Sequence, residues 1–126
     1  MTGLKRKQTQ DLLMADSDLG LPQANRHVMQ FRGGQAIGTG QLWSGGQYCS
    51  ILTKAGVVGC GIYDLKTAAE FGQAIAIAKG TPDNPLVVPE DLLEARIVGT
   101  TPQAAALGIE IGDTGRTAVE KMLAAS

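Results

Sequence analysis

From Arg26 to Tyr63 apolar and polar residues come in short runs parted by glycine-containing turns: RHVMQF, QAIGTGQLW, QYCSILT and VVGCGIY, with RGG, SGG and KAG between them. Short β-prone runs joined by such tight turns predict four strands in an antiparallel meander. On the first strand His27, Met29 and Phe31 share a side; on the second, Ile37, Thr39, Gln41 and Trp43 do. The third sets Tyr48, Ser50 and Leu52 against Cys49, Ile51 and Thr53. Apolar groups therefore stand on both sides. A sheet with one wet face alternates more cleanly, so both faces are expected to be covered, one by helices and the rest by a partner subunit.

After Tyr63 the period turns helical. Asp64 is a good N-cap, and LKTAAEFGQAIAIAK predicts a helix over 65–79 with Gly80 as its stop. It would be buried on more than one side, because only Lys66, Thr67, Glu70 and Gln73 form a polar stripe. TPDNP reads as a turn, LVVPEDLLEA as an extended piece and one helical turn from Pro89, and RIVGT as a further strand. Thr101 caps a short helix with Pro102 at its first position and Gly108 as its end. A final amphipathic helix runs from Gly115 to about Ala124. The pattern is an α/β chain of the α+β kind: an N-terminal antiparallel meander, then helices and an additional strand, with a single layer of helices on the sheet. Residues 1–23, mostly polar and closed by GLPQ, form a tail or arm, and 24–126 one domain.

At 126 residues the chain buries roughly two-thirds of its unfolded surface. Aromatic residues make up only 4% of it, so the core must be built from Leu, Ile, Val and many small side chains. Burial yields about 25 cal/mol per Å² of apolar surface, and such a chain gains by covering more of itself with further copies. Self-association is the physical expectation. A net charge of −1 leaves no broad footprint for nucleic acid or anionic lipid. Lys5, Arg6 and Lys7, the one basic cluster, read as a solvated tail. With no apolar stretch of bilayer-spanning length and no apolar signal core near the start, the expected setting is the cytoplasm, with neither membrane nor nucleic acid as partner.

Two cysteines and one histidine fall short of the four ligands of a structural zinc site, so no metal and no cofactor are expected, and His27 reads as a strand residue. Cys49 and Cys60 lie on neighbouring strands. Whether they share a face depends on a register that a one-residue slip inverts; in a reducing compartment both are expected as free thiols.

Two helix starts carry candidate chemistry. In GCGIYDLK the glycines admit close backbone approach, and free N–H groups at a helix start favour anions. GDTGRTAVE repeats the pattern. Each start also holds a cation, Lys66 or Arg116, where the helix dipole disfavours one, with a carboxylate four residues on, Glu70 or Glu120. The residues of a small-anion site would be Cys60, Gly61, Asp64, Lys66, Thr114, Gly115 and Arg116; otherwise the two starts are only close-packed corners. Cys60 near a helix start has the setting of an activated thiol but no evident base, and Asp64 is a cap or an acid/base group. The leading expectation is a homo-oligomeric module that binds a small anion or acts as a scaffold; the alternative is a small enzyme using Cys60 or Asp64 in a pocket between subunits.

The order of these pieces, GVVGCGIYD, the Ala-rich segment with EFG, DLLEARIV, then ALGIEIGDTGRTAVEKM, resembles the YunC-like domain of unknown function of bacteria and archaea. The resemblance spans roughly His27 to Leu123. It implies an α/β domain whose N-terminal β region mediates tetramerisation, and it brings no activity, substrate or catalytic residue. The sequence departs from that pattern in a longer link, AKGTPDNPLVVPEDLL, in Asp113 where an apolar residue is common, and in the N-terminal extension.

Overall fold

A computed structural model describes residues 20–125. The expectations for the basic cluster and most of the N-terminal arm lie outside the described residues. Six strands form one sheet in sequential order: β1 (Gln23–Phe31), β2 (Gly34–Trp43), β3 (Gly46–Leu52), β4 (Val57–Cys60), β5 (Ile75–Lys79) and β6 (Arg96–Thr100). The first four are the expected antiparallel meander. β5 then runs parallel to β4, and β6 antiparallel to β5. Helices α1 (Leu65–Glu70), α2 (Pro102–Ala106) and α3 (Gly115–Ala125) and a 3-10 turn (Pro89–Leu92) complete an α+β fold.

The helix expected over 65–79 is corrected: only its first six residues are helical. Phe71 is the C-cap, and Gly72 at φ +72° takes the left-handed conformation that ends a helix. The Gln73 N–H donates to Ala68 O at 2.9 Å and the Gly72 N–H to Ala69 O at 3.0 Å, the paired bonds of a Schellman motif. The chain then enters β5, an interior strand covered on both faces and apolar from Ile75 to Ala78, a run whose periodicity cannot be told from that of a buried helix.

Met29, Ala36, Ile51, Val58, Ala76 and Ile97 form the inner sheet face, which packs against Leu92 of the 3-10 turn and Val119 and Met122 of α3. The longer link supplies part of this roof. A Cβ on Gly38 would meet Met29 Sδ at 2.6 Å and Pro89 Cγ at 2.8 Å, so strand and turn approach as closely as glycine permits. Asp91 holds the link in shape, its Oδ2 accepting the Val87 and Val88 N–H groups, each at 3.0 Å. Asp113 also finds a use, accepting the Lys121 ammonium at 2.8 Å and the Glu110 N–H at 2.9 Å. A polar residue there ties the turn before α3 to the helix itself.

The other sheet face carries α1 only at its β4–β6 side, where Leu65 lies over Gly99 and Ile77, and the Tyr63 ring over Gly59. Among the described residues no element covers this face over the meander, and the register aligns Val28, Ile37 and Leu52 straight across three strands. Val28 is 52% and Leu52 37% exposed.

Candidate functional site

The β4–α1 corner is built by a strand that ends at Cys60 and a helix that starts one loop later. Asp64 closes that loop. Its Oδ1 accepts the Lys66 and Thr67 N–H groups at 3.0 and 3.3 Å, and its Oδ2 the Thr67 hydroxyl at 2.7 Å. The Thr67 hydroxyl and then its N–H hold the Asp64 carboxyl below the usual carboxylate range. Asp64 is a fully engaged cap, and as an anion at neutral pH it has no proton to give.

At the start of α3 the donors are equally occupied. Gly115 N–H bonds Ala95 O at 2.9 Å, Arg116 N–H bonds Leu93 O at 3.1 Å, Thr117 N–H bonds Thr114 Oγ1 at 3.2 Å and Ala118 N–H bonds Thr114 O at 3.0 Å. An anion cradle needs free N–H groups, and here the 93–95 segment has taken them. The Arg116 guanidinium lies 3.7 Å from Glu94, with both side chains well exposed. Its carboxylate partner is therefore on the neighbouring 92–95 segment and is not Glu120. Among the described residues no ion pair joins Lys66 to Glu70.

The seven candidates do not converge. Cys60 and Gly61 line an open cavity of about 380 Å³ together with Gln47, Lys79, Gly80 and Leu86; Asp64, Lys66, Thr114, Gly115 and Arg116 are not on its wall. Lys79 is the cation of this cavity. Reading β5 as helix hid it, although the alternation of Ile75 and Ile77 with Ala76 and Ala78 is the period of a strand. The Cys60 thiol has no hydrogen-bonded base among the described residues. The chain's one imidazole, His27, is engaged on β1, its Nε2 lying 2.6 Å from Glu90 Oε2. Among the described residues no three of His, Cys, Asp and Glu cluster as metal ligands would, and no helix is long and apolar enough to cross a membrane.

The strand register decides how the two cysteines stand. The β3–β4 ladder ends where Ser50 pairs with Gly59; Cys49 and Cys60 are the next residues of their strands, and alternation from Ile51 and Val58 puts both on the inner face. Both are free thiols; Cys49 is fully buried and Cys60 partly exposed.

A sequential meander continued by one parallel strand, roofed by a terminal helix, defines a small α+β domain. The same fold is seen in the crystal structure of a protein of unknown function, TA1206, from Thermoplasma acidophilum: TM-score 0.68 at 20% identity, covering 80% of this chain and 94% of that one. Residues 59–122, from the end of β4 through most of α3, match the family described as Domain of unknown function (DUF1805), and the chain belongs to that family. No curated protein matches the chain.

Proposed function

We propose that this domain is a homo-oligomeric scaffolding or binding module that assembles through the outer face of its meander. The observation that carries this reading is the registered row Val28, Ile37, Leu52, in which Val28 and Leu52 are exposed and which, among the described residues, lies on the part of the outer sheet face that α1 leaves uncovered. Exposed contiguous apolar surface marks an interaction site. A second copy is the occupant that charge favours: Arg26 and Lys54 border the row, while Asp64 and Glu70 stand on α1 on the same side of the sheet. The resemblance to YunC-like domains, whose β region mediates tetramerisation, supports the same reading. The position for a small ligand is the Cys60–Gly61 cavity, where Lys79 supplies positive charge, and the two unbridged thiols fit a cytoplasmic setting.

Sedimentation of the full chain at micromolar concentration tests this. Wild type is expected as an oligomer and Leu52→Lys as a folded monomer, since a lysine in the row cannot be desolvated without loss. A wild-type monomer, or a variant that assembles unchanged, overturns the reading.

A further inference from the structure

We propose that Cys49 and Cys60 form a paired-thiol oxidation site, which hydrogen peroxide entering the Cys60 cavity closes into a cross-strand disulfide. The proposal is independent of assembly. Three observations carry it. The β3–β4 ladder ends at the Ser50–Gly59 pair, and Cys49 and Cys60 are the next residues of the two strands, so continuing the register by one step opposes them; directly opposed residues of an antiparallel pair have Cα atoms about 4.5 to 5.5 Å apart, inside the range a disulfide spans. Pleat alternation puts both side chains on one face, because Gly59 and Ser50, the pair before them, face Tyr63 on the other. Finally, Cys60 lines an open cavity while Cys49 is sealed from solvent.

That asymmetry orders the chemistry. Burial, and next the neighbouring Cys60, push the Cys49 thiol up to about 12, so Cys49 does not initiate. The Cys60 sulfur attacks one peroxide oxygen, the O–O bond breaks, and the thiol proton leaves with the departing hydroxide as water. Cys60 is then a sulfenic acid. The Cys49 sulfur displaces its hydroxyl, the S–S bond forms, and the Cys49 proton leaves with that hydroxyl as a second water. Each sulfur gives up one electron and the peroxide takes both. The product removes the Cys60 thiol from the cavity wall, so the site has a reduced and an oxidised form.

Native, full-length wild type treated with hydrogen peroxide, quenched and alkylated, reports the outcome by mass. The expected result is a loss of two hydrogens, no alkylation at either cysteine, and a single linked Cys49–Cys60 peptide on digestion without reductant. Cys49→Ala is expected to leave Cys60 gaining oxygen atoms, as sulfenic and then sulfinic acid. Because this variant sits in the core and could fold poorly, the wild-type peptide map stands without it. Oxygen gain at Cys60 in wild type with Cys49 still alkylatable after unfolding, a disulfide joining two chains through Cys60, or two intact thiols after treatment each overturns the proposal.

Discussion

The Thr101 hydroxyl donates to Gln73 O at 2.7 Å while accepting the Ile75 N–H at 3.1 Å, so one buried side chain joins the loop after α1, the start of β5 and the end of β6. It also caps α2 by accepting the Ala104 N–H at 3.2 Å. Thr101→Val keeps the shape and removes the oxygen, leaving three backbone groups without their partner. A lost cap costs about 1 kcal/mol and buried unsatisfied groups about 1 to 3 more. Chemical denaturation is expected to show Thr101→Val destabilised by about 2 to 4 kcal/mol, with Thr101→Ser recovering most of that loss.

Gly115 tests whether the start of α3 is a corner or a cradle. The position of an added Cβ overlaps the Leu92 carbonyl oxygen, and that backbone is held in place by the Gly115 to Ala95 and Arg116 to Leu93 bonds. Gly115→Ala is therefore expected to cost about 2 to 3 kcal/mol through overpacking, although alanine is the better helix former. Arg116→Ala, which loses one exposed ion pair, is expected to change stability by less than about 1 kcal/mol. Equal and small effects of both substitutions would remove the packing explanation for the glycine.

Much of this fold was legible in the chain, and the part that was not has a local cause. The meander announced itself through glycine turns at regular intervals, and the caps Asp64 and Thr101 through residues whose side-chain oxygens suit no other place so well. The run from Ala74 to Lys79 did not, because a strand covered on both sides looks like a buried helix, and Gly80 offered a second plausible stop. Gly72 was the decisive residue: a left-handed C′ glycine after six helical residues leaves no register for the helix to continue. Of the candidate site, the sequence showed which residues stand at two helix starts. It did not show that the N–H groups at the start of α3 were already spoken for, since their acceptors, Leu93 O and Ala95 O, lie about twenty residues earlier and are brought in by tertiary packing.

Gly72 also offers a direct check of how α1 ends. Gly72→Ala forces a Cβ into φ +72° and is expected to cost about 1 kcal/mol, measured as a lowered unfolding midpoint. A neutral result would mean that the Schellman motif does not fix the end of α1.

Asp113 makes stability depend on acid. The Lys121 hydrogen bond and then the Glu110 N–H lower its pKa from the ordinary value, so the folded state holds the carboxylate more firmly than the unfolded chain does. A group lowered in this way contributes stability that is complete above the unfolded value of about 4 and is lost as the pH falls through the folded one. Asp64 acts in the same direction. Asp113→Asn is expected to cost about 1 kcal/mol at pH 7 and progressively less toward pH 2. A difference from wild type that stays constant across that range would show that the ion pair contributes nothing of its own.

Trp43 reports on which face assembles. It is the chain's single tryptophan, 44% exposed, edge-on to Tyr48 with ring centroids 6.3 Å apart, and it shares the outer face with Ile37. If copies meet through this face, dilution below the association midpoint exposes the indole, and its emission shifts to the red as the sedimentation coefficient falls. Leu52→Lys is expected to show the red-shifted emission at all concentrations while keeping the far-ultraviolet signature of the folded sheet. Dissociation without a change in emission would place the interface on the opposite side, over α3 and the 3-10 turn. The row Val28, Ile37 and Leu52 would then be an exposed stripe with another partner.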